Sequence, residues 1–164
     1  MMILAKARHH LPLGIMTFRT TRVHLDYTAT QLFDLVADVE KFPAFVPWVV
    51  SAKIIRRKDR TIWTDMTMGT SFLCKRFTTV ALLDRPHQID ISCHDPMFDR
   101  FEQRWKFEAA TKGGTNVEYQ LDFRLRSSVM QTVIGPSLGE RTIATVSAFK
   151  RRAEDLYGAP SSLG

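Results

Sequence analysis

The stretch from Val117 to Arg126 constrains the fold more than any other. Val117, Tyr119, Leu121, Phe123 and Leu125 alternate with Glu118, Gln120, Asp122, Arg124 and Arg126. A period of two sends every apolar side chain to one face and every polar one to the other, whereas a helix would spread them around its circumference. One dry face and one wet face belong to an antiparallel sheet covered on one side only. The KGGT just before it, residues 112–115, supplies a hairpin turn.

Other segments repeat the pattern. FRTTRVHLD (18–26) alternates loosely and reads as a strand. VVSAKIIRRKD and TIWTDMTMGT flank a turn around Asp59, and in the second Ile62, Met66 and Met68 share a face with Thr64. SFLCKRFTTVALLD follows, then HQIDISCHD with Ile89, Ile91 and Cys93 on one side, then RFEQRWKFEA with Phe101, Trp105 and Phe107 opposite Glu102, Arg104 and Lys106. Strands this closely spaced, joined by turns, form antiparallel hairpins.

Two helical patterns bracket the strands. In YTATQLFDLVADVE (27–40), Thr28 stands three residues before Gln31 as a capping box, and Tyr27 with Leu32 is placed as a hydrophobic staple. Leu32, Phe33, Leu35, Val36 and Val39 give its apolar face. Near the C-terminus Ile143, Val146, Phe149, Ala153 and Leu156 recur at helical spacing until Gly158 stops them. Before that, Gly135, Pro136 and Gly139 interrupt an apolar run, and a proline within a helix removes a hydrogen bond and clashes with the preceding turn. A kink or break is expected near 135–139. The expected class is α+β: a curved antiparallel sheet of six to seven strands packed on a long helix over 140–157, in one domain spanning 16–158. Residues 1–15 and 159–164 read as a disordered extension and tail.

DVEKFPAFVPWVV (38–50) suits neither regular element. Pro43 and Pro47 disfavour α geometry at Phe42 and Val46, so at most one helical turn fits between them. Phe42, Phe45 and Trp48 recur every three residues, matching a 3₁₀ turn or an extended polyproline path. Either path projects the aromatics to one side, as a lid lining the open end of the sheet or as plugs of the core.

Chemistry-bearing motifs are sparse. There is no G-x-S-x-G, no Walker loop and no G-x-G-x-x-G after a strand. His24, His87 and His94 lack ligand spacing, and Asp38 with Glu40 reads as helix-end groups rather than an acid–base pair. Neither a metal nor a cofactor is expected, and the reading is not an enzyme. Cys74 and Cys93 have no redox or metal spacing and read as reduced core thiols. No apolar run approaches the ~18 residues of a membrane span, and residues 1–15 lack the pattern of a signal peptide. The net charge of +6 is gathered in knots: Arg56, Arg57, Lys58 and Arg60; Lys75 and Arg76; Lys150, Arg151 and Arg152. Such knots are either solvated surface or contacts to an anionic lipid surface or nucleic acid.

The order of elements, with VADVEKFPAFVPW and the C-terminal FRLRSSVMQTVIG and AFKRRAEDLYG, resembles the START-like helix-grip superfamily of polyketide cyclase/dehydrase type, in its coenzyme Q-binding branch. The likeness covers about 17–158; DPMFDRF (95–101) and GPSLG depart from the branch's pattern. The resemblance implies a deep cavity between the sheet and the last helix. It further implies bound ubiquinone, an isoprenoid quinone, and a non-catalytic role as a lipid chaperone in respiration. The expected lining is Phe42, Phe45, Val46 and Trp48 from the lid, Met66, Met68, Phe101 and Trp105 from the sheet, and Met130, Val133, Ile134 and Leu138 from the start of the last helical region. The knots at 56–60 and 150–152 are then the contacts to an anionic membrane, peripheral and cytoplasmic at the inner face of the respiratory membrane, or on the matrix side in a mitochondrion. A sister branch, the ribosome-association toxin, binds the large ribosomal subunit and blocks subunit joining. The same knots would then meet the ribosome.

Overall fold

The computed structural model describes residues 18–70 and 73–160. The expectations for residues 1–15 and for the last four residues of the tail lie outside the described residues.

The strands run β1 (Phe18–Leu25), β2 (Val49–Lys58), β3 (Thr61–Thr70), β4 (Leu73–Asp84), β5 (Gln88–Cys93), β6 (Phe98–Ala109) and β7 (Thr115–Leu125). They form one antiparallel sheet of seven strands in the order β1-β7-β6-β5-β4-β3-β2. β2 to β7 therefore follow one another as hairpins, and only β1 crosses over, pairing Leu25 with Thr115 and Phe18 with Asp122. The alternation in β7 becomes register: Tyr119 stands opposite Trp105 and Leu121 opposite Gln103 of β6. Their dry faces are buried, with Phe101, Trp105, Phe107, Val117, Tyr119 and Leu121 all in the core.

Helix α1 (Ala29–Ala37) starts on the expected capping box, with the Gln31 N–H donating to Thr28 Oγ1 at 3.1 Å and the Thr28 N–H to Gln31 Oε1 at 2.9 Å. It buries Leu32, Phe33, Leu35 and Val36. The Tyr27 ring lies against Tyr157, centroids 5.9 Å apart, and its hydroxyl donates to the Gly158 carbonyl at 2.8 Å. The proline–aromatic segment takes the 3₁₀ path over Val39–Ala44, with Pro43 inside the turn.

The C-terminal break falls at a 3₁₀ turn, Gly135–Ser137, between α2 (Ser128–Ile134) and α3 (Leu138–Tyr157). A 3₁₀ turn absorbs Pro136 because it lets the chain continue without the lost i→i−4 bond. The rotation of α3 differs from the expected stripe. Val146, Phe149 and Ala153 are buried, but Ile143 is 61% and Leu156 50% exposed, while Thr142 is buried. Positions three and four residues before Val146 both lie near its face. With this helix rotation, the position four before it turns inward. Cys74 is likewise exposed, against expectation, and only Cys93 is a core thiol. Cys74 lies near the start of β4, opposite Gly69 of β3.

Candidate functional site

α3 packs against β1, β7 and α1, and the 3₁₀ segment packs against β2. Between them the sheet's dry face leaves an inner cavity of about 70 Å³. Phe42, Val46 and Trp48 line it from the lid, Met66, Met68, Phe101 and Trp105 from the sheet, and Thr145 and Phe149 from α3. A second cavity of about 160 Å³ adjoins it, sharing Trp48, Met68, Phe101, Gln103, Tyr119 and Thr145 and adding Ile134 from α2. Each is smaller than the ~300 Å³ of a drug-sized site. An apolar cavity of about 150 Å³ holds a single benzene ring, so the outer cavity can admit a bare ring as the side chains stand, and the inner one takes a head group only once Met66, Met68 or Trp48 moves. A longer molecule needs Met66, Met68 or Trp48 to move, and the unbranched methionines have the rotamer freedom to do so.

The remaining expected lining residues sit elsewhere. Phe45 does not line the cavity: its ring packs edge-on against Phe42 at 5.8 Å and Phe149 at 5.1 Å, with the Arg152 guanidinium 5.5 Å above it. Met130 lines a surface groove outside the cavity. Val133 is 71% exposed. The buried side of α2 belongs instead to Gln131, whose side-chain carbonyl accepts the Leu125 N–H at 2.7 Å. The side chain of Leu138 lies outside the described residues.

The cavity wall also carries polar groups. Thr64 and Thr79 face each other across β3 and β4. Gln103 sits on the dry face of β6 between Phe101 and Trp105, and the Tyr119 ring lies 4.4 Å from that of Trp105, tilted by 32°. Among the described residues, neither the three hydroxyls nor the Gln103 amide forms a hydrogen bond. These polar atoms open onto cavity space rather than being enclosed by protein; among the described residues the enclosed side-chain atoms without a partner are Asp122 Oδ1 and Gln131 Nε2. Burial pushes the Tyr119 phenol far above the usual tyrosine range, so it stays a donor. Among the described residues, the inner cavity's wall holds no carboxylate, histidine, lysine or cysteine. Gln103 is the residue that the pattern of alternation passed over. An amide at a dry-face position, flanked by two buried aromatics, was the available signal.

The basic residues of the hairpin and of 150–152 lie outside both cavities, whereas Lys75 and Arg141 line the outer one. Arg56, Arg57, Lys58 and Arg60 are exposed on the β2–β3 hairpin, where Arg56 stacks 4.7 Å over Trp63 and Arg60 pairs with Asp84 at 3.2 Å. Lys150 and Arg151 are exposed on α3, whereas Arg152 is half-buried over Phe45. No helix among the described residues is long and apolar enough to cross a membrane.

Residues 25–150 match the family model described as polyketide cyclase / dehydrase and lipid transport. The chain belongs to this family. Among solved structures, this family member is similar in fold to an aromatase/cyclase, Zhui, from Streptomyces (TM-score 0.75, 15% identity, 89% of this chain and 98% of that one). It is also similar to a START superfamily protein from Mycobacterium smegmatis (TM-score 0.72, 19% identity, 85% and 98%). At these identities the likeness is one of fold. In sequence the family member is 28% identical to the "Ribosome association toxin RatA" of Pseudomonas aeruginosa over 134 residues, 82% of this chain and 93% of that protein. It is 24% identical to the mitochondrial "Coenzyme Q-binding protein COQ10 homolog B" of Xenopus laevis over 138 residues, 82% of this chain and 57% of that one.

Proposed function

We propose that the chain binds an amphiphile of the isoprenoid-quinone type, such as ubiquinone, by its head in the inner cavity, and acts as a carrier rather than a catalyst. The observation that carries this reading is the set of unpaired polar groups on an otherwise apolar wall: Thr64, Thr79, Gln103 and Tyr119. Hydroxyl and amide donors suit the carbonyl oxygens of a quinone ring, and the aromatic and methionine side chains suit its methyl groups and the first part of its tail. The lack of a carboxylate, histidine or lysine on the inner cavity's described wall, with Tyr119 held protonated by burial, supports binding over acid–base chemistry, although the fold also serves aromatase/cyclases. The family description and the coenzyme Q-binding relative support it too. The test is mass spectrometry of lipids extracted from the purified protein. Stoichiometric isoprenoid quinone is the expected result, and a cavity filled only by water or unrelated lipid overturns the reading.

A second reading has better support from the relatives' names: association with the ribosome. RatA proteins from Pseudomonas, Vibrio, Escherichia and Rickettsia are 28%, 28%, 26% and 23% identical to this chain. The sequence analysis put the quinone carrier first; by names alone the order reverses. The exposed cations of the β2–β3 hairpin suit RNA phosphates, and such binding weakens steeply with salt. Gradient sedimentation with ribosomal subunits at low and high salt tests it. Comigration lost at high salt supports this reading, and no comigration at any salt removes it.

A further inference from the structure

The outer side of α2 is apolar where solvent would favour polar residues. Val129 is 72% and Val133 71% exposed, and a spacing of four puts them on one stripe of the helix. Next to that stripe, Met130 and Ile134 form with Met97 and Leu125 a surface groove of about 420 Å³. Its polar members are Ser127, Lys75 and Arg126, and no carboxylate lines it. Lys75 forms no ion pair among the described residues, and Arg126 reaches Asp99 only at 3.5 Å. Lys75, Met97 and Ile134 also line the outer cavity, so the groove adjoins the ligand space.

We propose that this face, α2 with its groove, docks on an anionic lipid bilayer, and that the groove is where a ligand passes between bilayer and cavity. Val129 and Val133 enter the boundary between headgroups and acyl chains, and Lys75 and Arg126 meet lipid phosphates. The charges select this occupant. A second copy seated on the same patch would set Lys75 and Arg126 against their own equivalents. RNA would use the cations and leave the valines in water. A bilayer with acidic headgroups uses both, since apolar burial and electrostatic attraction add at a membrane surface. The sequence reading placed lipid contact at the hairpin and at 150–152; the structure offers cations there without a groove joined to the cavity. The route serves the quinone reading above, but the docking geometry stands apart from it.

The experiment is co-sedimentation of the full chain with phosphatidylcholine vesicles, with and without phosphatidylserine. The variants are Val129→Ser with Val133→Ser, Lys75→Gln, and Arg57→Ser with Lys58→Ser in the hairpin. These positions are exposed or on a groove rim, and thermal melts check that each variant folds. Binding to the anionic vesicles is expected to fall about tenfold in the valine variant. It should lose most of its dependence on phosphatidylserine in Lys75→Gln and stay near the parent level in the hairpin variant. Parent-like binding of the valine variant, or loss confined to the hairpin variant, overturns the proposal. So does a change of oligomeric state on valine substitution, which would make the face a protein interface. Quinone content of the same samples separates the two readings. Valine-dependent vesicle binding by a quinone-free protein removes the ligand reading alone, and quinone-loaded protein that binds vesicles independently of the valines removes the docking proposal alone.

Discussion

Phe149 of α3 holds Phe45 edge to face, their ring centroids 5.1 Å apart and their planes at 88°. The same Phe149 ring stands 5.1 Å from Phe42 and 5.0 Å from Trp105. One helix residue thus joins the lid to the sheet, and Phe45 belongs to that joint rather than to the cavity wall. Phe45→Ala is expected to cost about 2–3 kcal/mol, below the ~3–5 of a fully buried phenylalanine because the ring is only half-buried. Ligand content per folded protein should stay near the parent value. Trp48→Ala, which opens both cavities, should reduce content more than stability. A denaturant melt and a ligand assay on each sample check the contrast.

Gln103→Leu and Tyr119→Phe remove polar groups without changing much volume. Each should leave the ligand-free protein within about 1 kcal/mol of the parent's stability, because no protein hydrogen bond is lost. Each should lower retention of a carbonyl-bearing ligand about tenfold, the equivalent of one lost hydrogen bond of ~1.4 kcal/mol. Parent-like retention by both variants would show that these groups do not face the ligand.

Tyr119 also sets an alkaline limit. Its folded pKa lies above the unfolded value of ~10, because burial disfavours the phenolate. Between those two values the folded chain holds a proton that the unfolded chain has lost, so stability falls as pH rises past about 10. Tyr119→Phe should remove that part of the slope and leave stability at neutral pH nearly unchanged. Melts from pH 8 to 11 measure it; an unaltered slope in the variant assigns alkaline loss to other groups.

The β6–β7 turn makes a finer distinction. Gly113 and Gly114 both have positive φ, +95° and +70°. A Cβ on Gly113 meets nothing within 4 Å, but one on Gly114 would lie 2.7 Å from the Leu25 carbonyl oxygen and 2.8 Å from His24 Nε2. Gly113→Ala should cost about 1–2 kcal/mol from backbone strain alone, and Gly114→Ala clearly more, because the β1 backbone must shift. Equal losses in thermal melts would contradict this.

Much of the fold is legible because strands carry their period locally. Val117 to Leu125 state the wet and dry faces of β7, and the Thr28–Gln31 box states where α1 begins. What sequence left open depends on rotation and depth. Ile143 and Thr142 are both at helical spacing from Val146, and only tertiary packing chooses Thr142 for the interior. Val133 seemed an inward residue because its segment is apolar, yet Gln131 took the buried side by binding the end of β7. The lid residues Phe42, Val46 and Trp48 were within reach because prolines fix their path. Gln103 and Thr79 were not, since a polar residue facing a cavity looks in sequence like an ordinary break in alternation.

The crossover of β1 has a consequence for how the molecule is made. β3 to β7 each pair with the strand before them, so those contacts close short loops and form early. β1 must wait, because its partner β7 is distant in the chain: Leu25 meets Thr115. During synthesis the first strand therefore emerges with neither its sheet edge nor its covering helix available. Closing so long a loop is slow for entropic reasons. The expected order of assembly has the hairpin array in place first, with β1 and α3 docking last and together. The inner cavity, which needs α3 for its roof, then exists only once α3 has been made and has docked.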